Sequence, residues 1–148
     1  MPALTLRADD LIMAFEDSDW AMRHFFDRQT GEVLILFEAG LGDSEEVAEQ
    51  IEAEPDRYVW IEPVPSSVGY EVMSDFVESL PESKVRRDLA HTLEQRKPFR
   101  RFKDALLNHP SIREDWFRFH EQAFIKIIEE WLDDHNIEAT VVPFNTQR

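Results

Sequence analysis

The chain has 148 residues, 31 of them Asp or Glu against 16 Lys or Arg, for a formal charge of -15. That length suits one domain that buries a core without staples, and the acidity taken as a whole repels nucleic acid and anionic membranes. With no cysteine, disulfides, thiolate metal sites and thiol nucleophiles are excluded.

The first ten residues show no secretory pattern, and no apolar run approaches the roughly 20 residues that span a bilayer. A cytoplasmic protein without a membrane span is expected. Leu6 to Phe15 reads as a short amphipathic helix, with Leu11, Ile12 and Phe15 toward a core and Asp9 and Asp10 near its positive end. Trp20, Met22, His24 and Phe26 then alternate in period two. Asp27-Arg28-Gln29-Thr30-Gly31 follows as a turn, and Val33 to Phe37 as the second strand of a hairpin.

Gly40-Leu41-Gly42-Asp43-Ser44 reads as a turn rather than a phosphate loop, lacking a third glycine or a lysine. It leads to an acidic helix with Val47 and Ile51 one turn apart. Arg57 to Glu62, carrying Tyr58, Val59, Trp60 and Ile61 and bounded by Pro55 and Pro63, reads as a third strand.

From Ser66 the period becomes helical. Ser66 or Ser67 is placed to cap a helix carrying Val72, Phe76 and Leu80; Ser83 is placed to cap the next, with Val85, Leu89 and Leu93. Pro98 opens a third, with Phe99, Phe102 and Leu106 inward. Ser111-Ile112-Arg113-Glu114 has capping-box spacing ahead of a long stripe through Trp116, Phe119, Phe124, Ile128 and Trp131. Asn136 is a left-handed stop, and Ile137 to Phe144 a final strand held to a sheet edge by Pro143. The expected fold is a single α+β domain: a small antiparallel sheet of three to four strands led by a hairpin, then a mostly helical half from about 66 to 136.

Charge is segregated. Between Lys84 and Lys103 there are eight Lys or Arg and two acids, so this stretch carries +6 and the remainder -21. Its centre is Arg96-Lys97-Pro98-Phe99-Arg100-Arg101-Phe102-Lys103-Asp104. Cations in the first turn of a helix oppose the macrodipole by about 0.3 to 1 kcal/mol each, so an anion should offset them. Internal carboxylates are one source: Asp104 lies four residues from Arg100, and the first 83 residues hold 20 acids. On that reading the arginines clamp helix to sheet. The other source is external, a phosphate-bearing or acidic partner meeting Arg96, Lys97, Arg100, Arg101 and Lys103, with Phe99 and Phe102 anchoring the helix from behind.

The hairpin Phe26 to Val33, the run Tyr70-Glu71-Val72-Met73-Ser74-Asp75-Phe76, the basic stretch Arg96 to Asp104 and Glu130-Trp131-Leu132 together resemble the bacterial uncharacterised protein family (UPF) number 0158. The most specific part is Phe99-Arg100-Arg101-Phe102-Lys103-Asp104 followed by Trp116. Where the family's pattern leads one to expect glycine, before Lys97-Pro98-Phe99, this chain is basic. The resemblance implies an α+β fold and no particular activity.

The five histidines show no i, i+4 zinc spacing, and neither a nucleophile elbow nor a cofactor loop is present. Phe117 beside Arg113 and Arg118 invites base stacking, whereas Trp116 and Phe119 fit the core stripe. No metal, cofactor or catalytic residue is assigned. The expected function is a non-enzymatic binding or adaptor module using Arg96, Lys97, Arg100, Arg101 and Lys103. Two other readings stay open: a nucleic-acid-associated regulator using the same residues, and an enzyme with a site between sheet and helices.

Overall fold

The computed structural model describes residues 3–19, 21–38 and 44–143. Eleven elements follow in order: β1 (Leu4–Arg7), α1 (Ala8–Glu16), β2 (Met22–Asp27), β3 (Val33–Phe37), α2 (Ser44–Ala53), β4 (Tyr58–Ile61), α3 (Ser66–Ser79), α4 (Lys84–Leu93), α5 (Pro98–Leu106), α6 (Pro110–Asp134) and β5 (Ala139–Val142). This is an α+β chain with strands leading. Its described residues divide into two compact units, one formed by those up to Val64 together with 125–143, the other by Pro65–Phe124. Trp20, the turn over residues 40–43 and Phe144, all used in the sequence reading, lie outside the described residues.

In the first unit β2 pairs antiparallel with both β3 and β4, giving the order β3-β2-β4, with His24 opposite Ile35 on one side and Ile61 on the other. The period-two reading of β2 is seen in its burial: His24 and Phe26 face inward, while Arg23 is exposed. The hairpin turn needs Gly31. Its φ is +80°, a left-handed value that favours glycine, and a Cβ there would lie 2.6 Å from Leu6 Cδ2.

Two differences from the sequence reading appear at the chain's ends. Leu4–Arg7 forms a strand, and the helix begins at Ala8 rather than Leu6. The final strand, β5, does not extend the antiparallel sheet; it pairs in parallel with β1, Leu4 opposite Ala139, as a separate two-stranded sheet. Four residues of mixed pattern, Leu-Thr-Leu-Arg, carry too little period to separate a strand from a helix start.

Phe15 and Phe26 are fully buried and each meets Trp131 edge to face, with centroids 5.6 and 5.7 Å apart. α6 stops as expected at Asn136, whose φ is +56°. Asn136 N–H donates to Asp133 O and Ile137 N–H to Leu132 O, with Leu132 and Ile137 both buried, which is a Schellman ending. Arg28 adds a cation there, donating from Nη1 to His135 O at 3.0 Å.

The second unit is helical, and prolines mark its breaks: Pro81 after α3, Pro98 and Pro110 as the first residues of α5 and α6. Phe76, Phe102 and Trp116 form its aromatic centre, with Phe76 and Phe102 at 5.4 and 5.0 Å from Trp116. Ser83 caps α4 as expected, accepting from Arg86 N–H at 3.2 Å. Ser66 and Ser67 do not cap α3, because the helix starts one residue earlier than that role needs: Pro65 is the extended residue before it, with no side-chain cap. Likewise Ser111 falls inside α6, which already begins at Pro110. Among the described residues no helix is long and apolar enough to cross a membrane.

Candidate functional site

The basic segment is built by the hand-over from α4 to α5. Tyr70 of α3 donates its hydroxyl to Leu93 O at 2.8 Å, satisfying a carbonyl in the last turn of α4. The chain then turns sharply. Lys97, the residue before α5, has φ 54° and ψ 57°. A non-glycine residue in this left-handed region is disfavoured by about 1 to 2 kcal/mol, and the proline that follows restricts it further. Pro98 has no N–H to lose at the helix start.

One face of α5 is anchored by Phe102 and Leu106, both buried. Phe99, expected beside them, is only partly so. It stays 38% exposed and rests one ring edge over Gly69 of α3, where a Cβ would meet its Cε1 at 3.1 Å. Gly in a helix interior costs about 1 kcal/mol relative to Ala; here its missing side chain is the space Phe99 occupies.

Arg96, Lys97, Arg100, Arg101 and Lys103 are all exposed. Arg101 Nε donates to Arg96 O at 2.7 Å, which folds its side chain back over the turn and holds the carbonyl of a neighbouring cation. No carboxylate among the described residues forms an ion pair with any of the five. Nearby arginines behave otherwise: Arg86 and Arg87 both meet Glu82, at 3.3 and 2.9 Å, and Arg118 meets Asp115. Within the helical unit even Asp104, four residues from Arg100, forms no ion pair with it. Arg100, Arg101 and Lys103 are exposed positions of α5, whose buried residues are Phe102 and Leu106.

A second feature lies in the first unit. Asp27, buried at the end of β2, accepts from Arg57 Nε and Nη2 at 2.9 and 2.8 Å and from Gln29 N–H at 2.8 Å. Arg57 Nη1 also reaches Glu54 at 2.9 Å. Burial pushes the Asp27 carboxyl up, but the Arg57 fork with the Gln29 and Thr30 donors outweighs it and holds the pKa at about 2. Asp27 correspondingly raises Arg57. The pair borders an open cleft of about 970 Å³ lined by Arg28, Glu54, Asp56, Asn136 and Glu138 among others. Its two arginines are already engaged, Arg57 by carboxylates and Arg28 by His135 O, so this reads as the staple between hairpin turn and β4.

His24 is buried, with Nε2 3.9 Å from Asp17. Burial lowers its pKa, against a smaller upward pull from Asp17. Among the described residues no three His, Asp or Glu are placed to hold a metal ion.

The profile of the Uncharacterised protein family (UPF0158) matches residues 1–143. The chain belongs to this family. A UPF0158 protein of Pseudomonas aeruginosa is 28% identical over 138 residues, which are 93% of this chain and 88% of the relative. No solved structure matches the chain.

In this UPF0158 chain all five cations named from sequence fall on one turn and the helix it starts, so the structure brings them together. Sequence reasoning missed three things. Tyr70, an exposed ring at the same corner, sits 23 positions from the carbonyl it holds. The left-handed Lys97 has no residue-type signal, since lysine is not a turn residue. The Asp27–Arg57 pair spans 30 positions, and Asp27, read from sequence as a turn residue, carried no sign of that partner. Phe117 is exposed with Arg113 over its ring at 4.8 Å, so a cation already fills its open face.

Proposed function

We propose that this protein is a non-enzymatic binding or adaptor module that recognises an acidic or phosphate-bearing partner through Arg96, Lys97, Arg100, Arg101 and Lys103. The observation that carries this is that, among the described residues, no ion pair forms at five exposed cations in a chain of charge -15, where other arginines of the same helical unit do meet acids. Guanidinium groups that no carboxylate occupies match carboxylate or phosphate oxygens two at a time. The left-handed Lys97 supports the reading, because strain of about 1 to 3 kcal/mol tends to persist where a recognition surface is pre-shaped. An enzymatic role has weaker support: the one strongly perturbed carboxyl described, Asp27, is saturated by Arg57, Gln29 and Thr30.

The test uses two anions, inorganic polyphosphate and a Glu-rich peptide, titrated into the full chain by calorimetry across salt concentrations. Binding of at least one is expected, weakening with salt, and the Arg100→Ala/Arg101→Ala variant should lower both affinity and salt slope. Binding of neither anion, or a double variant that binds as well as the parent, would remove the proposal.

A further inference from the structure

Beyond the α5 surface and independent of it, we infer that the free edge of β3 takes up an extended apolar segment of a partner protein, flanked by Lys or Arg, as an added strand. The order β3-β2-β4 gives β3 one neighbour only. Asp27 N–H donates to Glu32 O at 2.9 Å and Glu38 N–H to Ala21 O at 2.8 Å, so alternate positions from 32 to 38 turn their backbone groups toward β2. Val33, Ile35 and Phe37 turn theirs the other way. Among the described residues no hydrogen bond reaches that outward row.

Open edges are commonly blunted by lysine, proline or a bulge. Val33-Leu34-Ile35-Leu36-Phe37 has none of these, and its register with β2 is unbroken. The other edge, β4, is shorter, with Pro63 two positions past its end. Beside β3 lies a groove of about 490 Å³ whose lining joins Leu6, Leu11 and Met13 to Val33 and Ile35. Met13 is 64% and Ile35 36% exposed. An added strand would bond to the outward row through its backbone and send alternate side chains into the groove, where apolar ones fit.

Charge fixes the flanks. Asp10 and Glu32, both exposed, line the same groove, and neither forms an ion pair among the described residues. The nearby cations are engaged, Arg7 by Asp9 and Arg23 by Glu38, each at 3.1 Å. The wider field has the same sign: Pro65 to Phe124 holds ten Lys or Arg and ten Asp or Glu, so the rest of the chain, six basic and 21 acidic residues, carries the whole -15. Basic flanks complement that surface and are drawn to it. A second copy of the chain suits it less well. Pairing antiparallel about Ile35 would set Glu32 of each copy opposite Glu38 of the other, and like charges so placed are destabilising.

The experiment follows fluorescence anisotropy of a labelled pool of peptides about nine residues long, Lys at both ends and Thr alternating with Val, Ile, Leu or Phe between, titrated with the full chain. The Lys pool should bind about tenfold or more tighter than the same pool with Glu ends. Only one row of a strand's amides faces its neighbour, so N-methylating one alternate set should weaken binding about tenfold and methylating the other should not. Ile35→Pro, its fold checked by circular dichroism, removes an N–H from the outward row and none from the bonds to β2, and should abolish binding. No binding of the Lys pool, equal binding of the Glu pool, or equal effects of the two methylations overturns the inference. So does a dimer in sedimentation velocity that Ile35→Pro dissolves, which would give the edge to a second copy. The methylated pools need no variant, so they decide the matter even if Ile35→Pro unfolds.

Discussion

Replacing Asp27 by Asn tests whether the staple between the hairpin turn and β4 works through charge. In the fold the Asp27 carboxyl is held at about 2 against an ordinary 3.8, a gap that at about 1.4 kcal/mol per pH unit corresponds to roughly 2.4 kcal/mol. Arg57 is 22% exposed, and screening by water there trims the contribution to about 1–2 kcal/mol. Because the folded pKa is depressed, the stabilisation is fully present above 3.8 and disappears as pH falls from 3.8 toward 2. Asn keeps an oxygen for Gln29 N–H and loses the ionic fork. Urea unfolding followed by circular dichroism should show Asp27→Asn weaker than the parent by about 1–2 kcal/mol at pH 7, or about 3–6 °C in Tm, with the difference closing near pH 2. A deficit of the same size at both pH values would show that shape, not charge, holds the turn.

Three further outcomes are expected. His24 is buried and its pKa lowered from 6.5, so the fold favours the neutral ring; stability should fall as pH drops below 6.5, and the urea midpoint of His24→Leu should be flatter across that range. Lys97→Gly should raise stability by about 1 kcal/mol by relieving the left-handed backbone, and a lower midpoint would show that glycine's unfolded entropy outweighs the strain. Phe26→Ala removes a fully buried ring that meets Trp131 and should lower stability by about 3–5 kcal/mol; a loss under about 1 kcal/mol would mean that the cavity collapses.

Local chemistry was legible in the sequence. The hairpin, the proline breaks, the Ser83 cap and the stop at Asn136 each depend on a few adjacent residues whose types dictate the backbone. What escaped were effects between distant positions: Leu4–Arg7 becomes a strand only because Ala139–Val142 lies beside it, and Asp27 matters only because Arg57 reaches it. The candidate site was half visible. Its cations stood out by charge, but whether acids would neutralise them was a question of spatial neighbours, and twenty candidate acids made either answer reasonable. Phe99 matched an inward stripe by spacing, yet its position at the first turn of α5 puts it at the rim, over Gly69.

The pairing of β1 with β5 sets an order of events during folding. Leu4 and Ala139 are partners 135 positions apart, so that pair must wait for nearly all of the chain, whereas the described residues of the helical unit, Pro65–Phe124, are consecutive in sequence. Local contacts form first, since loop closure opposes distant ones. The helical unit is therefore expected to gain amide protection early in refolding, with Thr5 and Leu6 protected last. A parallel ribbon of four pairs at the end of that sequence acts as a latch, and a break in it is expected to loosen the sheet-bearing unit first.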